Sequence, residues 1–190
     1  GLVFLIPMLK PLIAARLDRR AIWLFSARGL AHTLGVILWF YAMARIPMAE
    51  VTALNYLVPV YVTLGAVLIF GEQLAFRRIL AVAAALVGAL IILRPGIRVV
   101  ETGHIAMLGT AVMFAASYLI AARTTGLVKP VVVVAMLSIT VTIGLAPFAL
   151  ANWVTPTLAE LGWLFGVAVF ATGGHLTMTL AFAAAPISVT

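Results

Sequence analysis

The chain is 190 residues long, with 65% hydrophobic and only 9% charged residues, whereas a soluble domain carries about a quarter charged residues. It contains no cysteine, which excludes disulfide and thiolate chemistry within this sequence. The formal net charge is +7, but the basic residues lie between apolar runs instead of forming a basic helix. We therefore expect a lipid bilayer as a partner, and no nucleic acid.

Long apolar runs follow one another with very short connections. A membrane-spanning helix needs roughly 20 apolar residues, and uniformly apolar runs favour helices over the alternating strands of a barrel. We predict an all-α polytopic membrane protein, and a fragment that has lost its first span because Gly1 already lies in an apolar run. The predicted complete spans are Ala27–Ile46, Met48–Phe70, Ala75–Leu93, His104–Ala122, Pro130–Ala151 and Glu160–Ala184, with partial spans at Gly1–Ala14 and Ile187–Thr190.

The basic residues predict the orientation, because cytoplasmic loops carry an excess of Lys and Arg. Three of them fall on the side that we expect to be external: Arg45, Arg94 and Arg98. Nine fall on the other side, which we expect to be cytoplasmic: Lys10, Arg16, Arg19, Arg20, Arg28, Arg77, Arg78, Arg123 and Lys129.

The chain repeats itself once, at an interval of about 140 residues. Pro7 corresponds to Pro147, and the tripeptide that begins at Trp23 returns at Trp163. An odd number of spans separates the copies, so two five-span units must be inverted relative to each other. Many transporters that work by alternating access are built in this way.

The stretch Leu38–Pro95 resembles the first EamA domain of the drug/metabolite transporter superfamily. Met178–Thr190 resembles the beginning of a second copy. The resemblance implies ten spans, with a first repeat at residues 1–98 that lacks span one and the start of span two, and a second at residues 99–190 that is truncated at span nine. Its marks in this sequence are Ile46-Pro47, Ala49-Glu50, Pro59, Gly71-Glu72, Arg77-Arg78, Gly88 and Arg94-Pro95.

A polar binding point is predicted in the span Met48–Phe70. Pro59 has no N–H group, so the carbonyl of Asn55 loses its helical partner, and both residues share one helix face. Asn55 could instead join neighbouring helices by a packing hydrogen bond. The resemblance makes this span, with Tyr56, and the span that holds Tyr118 line the cavity, although Tyr118 could equally anchor the cytoplasmic interface.

Ionisable side chains inside the spans are further candidates. His175 lies near the middle of its span and could bind substrate or carry a proton, or it could be a neutral histidine bonded to a neighbouring helix. We expect His32 and His104 to be interfacial. Glu50 opens a helix, which favours a capping role, with a role as a coupling acid as the alternative.

Aromatic residues could form the wall of a cavity for amphipathic organic solutes. Trp39 and Tyr41 are candidates, with lipid contact or an interfacial belt as the alternative. The histidines lack metal-ligand spacing, and we expect no metal or cofactor. Gly162 and Gly166 favour close helix packing and also allow a homodimer.

These features together predict a secondary transporter that moves small organic metabolites across the inner membrane, in the direction of efflux. A passive channel is one alternative. An intramembrane enzyme is less favoured, since the sequence has no GxSxG or HExxH motif and its one aspartate, Asp18, lies in a loop.

Overall fold

Helices dominate the computed structural model, which describes residues 2–73, 75–94, 96–97 and 99–185. No strand occurs among these residues. A short 3-10 helix, Leu2–Met8, leads into the first α-helix. The α-helices are α1 (Leu9–Ala14), α2 (Arg19–Met43), α3 (Met48–Asn55), α4 (Leu57–Phe70), α5 (Phe76–Leu93), α6 (Thr102–Thr125), α7 (Pro130–Ala151) and α8 (Leu158–Ala184).

Six helical segments of the described chain are long and apolar enough to cross a membrane, counting α3 and α4 together as one. They correspond to the six complete spans predicted from the sequence, and α7 has the predicted bounds. The all-α polytopic membrane class is thereby confirmed. The partial span at Gly1–Ala14 is helical from Leu2 onward, whereas Ile187–Thr190 lies outside the described residues.

Helix α2 begins at Arg19, eight residues before the predicted start at Ala27. A carboxylate oxygen of Asp18 accepts the backbone N–H of Ala21 at 2.7 Å, so Asp18 caps the first turn. The apolar run alone does not show this early start, because Arg19 and Arg20 interrupt its hydropathy. Each polar side chain of α2 beyond Ala27 therefore lies eight residues farther from the start of the helix than the predicted start at Ala27 implies.

The described residues form two units. The terminal unit comprises residues 2–30 and 120–185. Its core is a contact of α2 with α6 and α7, in which Ala21, Phe25, Ala121 and Val133 are buried together. A second cluster of Met8, Val134 and Ala135 packs the N-terminal segment against α7. The amino end of the described chain is thus held by apolar packing against α7.

The central unit comprises residues 31–119 and contains the second half of α2, all of α3 to α5 and most of α6. Glycines let α2 and α6 approach closely in this unit. A Cβ atom built on Gly35 would lie 2.6 Å from the ring of Phe114, and one built on Gly109 would lie 3.0 Å from Leu38. The buried side chains of α3 and α4 are Val51, Leu54, Leu57, Val58, Val60, Val62 and Ala66.

Two helices expose almost their entire apolar surface. Only 6% of the most apolar window of α5, and the same share of α8, is buried. The predicted small-residue contact at Gly162 and Gly166 is not made within the described chain, since no atom lies within 4 Å of a Cβ built on either. Apolar helices with this exposure need lipid or another protein surface around them.

Candidate functional site

The membrane segment Met48–Phe70 is broken, as Pro59 predicts. Helix α3 ends at Asn55, α4 begins at Leu57, and Tyr56 between them donates its N–H to the carbonyl of Ala53 at 3.2 Å. Pro59 removes the N–H group that would have bonded to Asn55, which explains the position of the break. Irregular backbone inside a membrane segment is a common feature of transporter binding sites.

Asn55 places a polar atom at this break. Its side-chain oxygen is buried and has no hydrogen-bond partner among the described residues. The predicted packing bond to a neighbouring helix is therefore not made through this oxygen within the described chain. A buried acceptor without a donor costs free energy, so a hydrogen-bond donor on a bound solute would be favoured here.

Tyr56 and Pro59 lie beside Asn55 and are exposed, Tyr56 to 71%. Tyr56 contributes to a small, mostly apolar pocket of about 180 Å³ against α5. The pocket is lined by Ala53, Tyr56, Leu57, Ala85, Gly88, Ala89 and Ile92. The break thus combines one buried acceptor with an accessible aromatic ring.

A cluster of aromatic and polar side chains lies between α2 and α6. His32 is 8% exposed, and its Nδ1 lies 3.3 Å from the hydroxyl of Ser117. The rings of Phe114 and Tyr118 are 4.8 Å and 6.4 Å from the His32 ring, centroid to centroid. His32 lies midway along α2, which begins earlier than predicted; its interfacial position stays a prediction.

Trp39 and Tyr41 follow on the same helix. The indole N–H of Trp39 is buried and has no acceptor among the described residues, so it is a second polar atom that a solute could satisfy. Tyr41 instead donates its hydroxyl to Thr102 at 3.2 Å, and the guanidinium of Arg45 lies 3.5 Å above its ring. These partners place Tyr41 in a polar cluster at the end of α2.

Glu50 and His104 form a pair at the same end of the central unit. Nε2 of His104 lies 2.6 Å from a carboxylate oxygen of Glu50, and the His104 side chain is fully buried. Pro47 is the N-cap of α3, which has no side-chain capping bond. Glu50 lies in the first turn of α3 and bonds across to α6. Its role at the start of α3 and the interfacial position of His104 stay predictions.

The terminal unit holds a buried cation that the sequence did not single out. Arg28 is completely buried, and one of its N–H groups donates to the carbonyl of Val133 at 2.9 Å. In α8 of the same unit, the carbonyl of His175 accepts from the hydroxyl of Thr179 at 2.6 Å. From the sequence, Arg28 falls among the basic residues of the cytoplasmic side. Because α2 begins at Arg19, Arg28 is the tenth residue of that helix.

The structure thus distributes the predicted site residues over both units. Trp39, Tyr41, Glu50, Asn55, Tyr56, Pro59 and Tyr118 lie in the central unit, and His175 lies in the terminal unit. A shared cavity for His175 and Asn55 stays a prediction. In the part of the chain that the structure describes, no three histidine or acidic side chains are grouped so that they could hold a metal ion.

In the part of the chain that the structure describes, six helical segments of membrane length with buried polar side chains define a polytopic membrane protein of the all-α class. Residues 1–94 match the EamA-like transporter family. The resemblance noted from Leu38–Pro95 is thereby confirmed. No solved structure matches the chain at a significant level.

Curated relatives of the chain are named as transporters of small molecules. A riboflavin transporter of Rhizobium johnstonii is 30% identical over 184 residues, which cover 96% of this chain and 61% of the relative. The pseudopaline exporter CntI of Pseudomonas aeruginosa is 26% identical over 94% of this chain and 63% of its own length. An S-adenosylmethionine uptake transporter of Rickettsia prowazekii is 24% identical, with 73% and 47% covered. The chain thus spans about three fifths of the first two relatives.

Proposed function

We propose that the intact protein is a secondary transporter that moves a small organic solute across the inner membrane by alternating access, in the direction of efflux. The observation that carries this proposal is the break between α3 and α4, where a buried side-chain oxygen of Asn55 has no donor among the described residues. The match of residues 1–94 to the EamA-like transporter family supports it. The sequence repeat supports alternating access, because inverted repeats exchange conformations in such transporters.

The solute that fits these residues is amphipathic. Tyr56 and the small pocket against α5 offer an apolar surface, while Asn55 and the Trp39 indole N–H offer one acceptor and one donor. Riboflavin and S-adenosylmethionine, which two of the relatives are named for, combine ring systems with several polar groups. The relatives include an exporter and an uptake transporter, so efflux rests on the general expectation for this family.

The test is transport by the purified protein in vesicles, with a panel of solutes that includes riboflavin, S-adenosylmethionine and amino acids. A transporter should show saturable flux, and unlabelled solute inside the vesicles should accelerate the entry of labelled solute by counterflow. Flux that is linear in concentration without counterflow would instead identify a passive channel. Chemical conversion of a solute without flux would identify an enzyme.

A further inference from the structure

His104 is the third residue of α6, the position at which a capping box usually has glutamate or glutamine. The carbonyl of Glu101 accepts the N–H groups of His104 at 3.0 Å and Ile105 at 3.4 Å, so Glu101 is the N-cap. Nδ1 of His104 accepts the backbone N–H of Glu101 at 3.0 Å in return. The His104 side chain thus bonds back to the N-cap N–H, which is one half of a capping box; α8 has the complete box, with Thr157 and Glu160.

The other ring nitrogen of His104, Nε2, forms a hydrogen bond to Glu50 in α3. Because Nδ1 of His104 accepts the Glu101 N–H, the ring proton of the neutral histidine must be on Nε2. Nε2–H therefore donates to the Glu50 carboxylate at 2.6 Å. One imidazole ring thus caps α6 and joins its first turn to the first turn of α3.

An added proton has two places to go, and each place weakens one of the two bonds that the His104 ring makes. On Nδ1 of His104 it would point at the N–H of Glu101, so the capping bond would break and the first turn of α6 would lose it. On Glu50 it would turn a charge-assisted hydrogen bond into a neutral and weaker one.

Other charged groups surround the pair. Glu101 adds a negative charge on the same turn as His104, and Arg45 adds a positive charge from the end of α2. Arg45 donates to the carbonyl of Tyr41 at 3.1 Å, and a Cβ built on Gly103 would lie 3.2 Å from Arg45. Tyr41 donates its hydroxyl to Thr102, so α2, α3 and α6 meet at this end of the central unit.

We propose that Glu50 and His104 form the proton-binding pair of the transport cycle. Uptake of one proton by the pair releases the His104 cap of α6 when the proton binds Nδ1, and weakens the bond between α6 and the start of α3 when it binds Glu50. Helix α3 has only eight residues, with Glu50 in its first turn and Asn55 at its end. The protonation state at one end of this short helix is therefore transmitted to the break at its other end. The role in transport rests on the proposed function, whereas proton binding by the pair does not.

Hydrogen–deuterium exchange of the intact protein in nanodiscs tests the pair without any solute. Between about pH 8 and about pH 5, where histidine changes charge, the protection factors of peptides at the starts of α3 and α6 should fall as the pH falls. Protection factors already correct for the pH dependence of intrinsic exchange. A decrease of about fivefold is expected, which corresponds to one lost hydrogen bond.

Two conservative variants and one matched control complete the test. His104→Gln keeps an acceptor for Glu101 and a donor for Glu50 but does not titrate, so protection at the start of α6 should become independent of pH. Glu50→Gln should do the same for the start of α3. Glu160→Gln changes the usual capping box of α8 and should keep the wild-type response at α3 and α6. Two variants at different helices keep the test valid if one of them does not fold.

A pH-independent wild-type protein, or a His104→Gln protein with the wild-type response, would overturn the proposal. Once a transported solute is known from the panel, both variants should also lose at least most of the acceleration by a proton gradient, while Glu160→Gln should retain it. Loss of that acceleration in His175→Gln, with His104→Gln unaffected, would place the proton site in the terminal unit and contradict the proposal. Absence of transport for every solute would refute the proposed function and leave the exchange result to decide on the pair.

Discussion

Buried polar side chains on otherwise apolar helices are the most informative residues of this protein. The structure brings His104 within 2.6 Å of Glu50 and buries His32 and Arg28. A polar group away from water is costly unless it has partners. Such residues persist in membrane helices mainly where they bind, position or carry charge.

Asn55 allows a prediction with an internal control, since Asn152 is the second asparagine of the chain. Replacing Asn55 by Ala should weaken solute binding by about 1–3 kcal/mol, the value of one buried polar contact. Asn152 bonds to the carbonyl of Phe148 in an exposed position, so Asn152→Ala should leave binding unchanged. Half-saturation concentrations for transport in vesicles measure both effects. Equal effects of the two substitutions would argue against Asn55 as a solute contact.

The stability effect of the Asn55 substitution should have the opposite sign. Its buried oxygen has no donor in the described chain, and removing an unsatisfied polar group relieves a desolvation cost. We therefore expect Asn55→Ala to unfold at an equal or higher temperature than the wild type in the same detergent. A marked decrease in thermal stability would show that Asn55 serves the packing of its neighbours.

At the scale of elements, the sequence predicted the helices well and their ends less well. Apolar runs of membrane length can be read directly from the sequence. The effect of Pro59 on the helix is local, so the sequence also predicts the break between α3 and α4. The start of α2 depends on one side-chain hydrogen bond from Asp18, which hydropathy does not measure. The partners of His32 and His104, which are Ser117 and Glu50, could not be predicted because they are distant in sequence.

The close approach of α2 and α6 leads to a prediction about two glycines. A methyl group on Gly35 would meet the Phe114 ring at 2.6 Å, whereas one on Gly88 of α5 would meet no atom within 4 Å. Gly35→Ala should destabilise the protein by about 1–3 kcal/mol through overpacking. Gly88→Ala should stabilise it by about 0.5–1 kcal/mol, because alanine is the better helix former.

Thermal unfolding of both glycine variants in one detergent provides the measurement. If Gly35→Ala were as stable as Gly88→Ala, the two helices would be farther apart than described. Phe114 also packs against His32, so a shift of its ring by Gly35→Ala should disturb the cluster around that histidine. Tryptophan fluorescence of Trp39, one turn after Gly35, offers a second readout of the same displacement.

At the scale of the whole molecule, the sequence predicts the membrane topology, that is, which loops face the cytoplasm. This topology stays a prediction. The loop between Pro7 and Trp23 holds four basic residues, while its counterpart between Pro147 and Trp163 holds none and one acid, Glu160. We expect the first loop to be cytoplasmic and the second external. The inverted repeat and the repeat boundary near residue 98 stay predictions as well.

Single cysteines test this topology, and the chain has no natural cysteine to interfere. In intact cells, an impermeant thiol reagent should label a cysteine at Thr157 and leave one at Arg19 unlabelled until the membrane is permeabilised. Thr157 and Arg19 are both at helix starts, so their local accessibility is comparable. Labelling at Arg19 alone would reverse the orientation, and labelling at both would refute the inverted arrangement of the two copies.

The length of α8 has a consequence for the surrounding lipid. Its 27 residues extend about 40 Å, whereas the hydrocarbon core of a bilayer is about 30 Å thick and the 18 residues of α5 extend only about 27 Å. One membrane thickness cannot match both helices when they stand upright. The longer helix must tilt or project beyond the hydrocarbon core, and bilayer thickness influences how far it does so. Acyl-chain length in the reconstituted vesicles becomes an experimental variable, since it changes the geometry of α8 without any change to the protein.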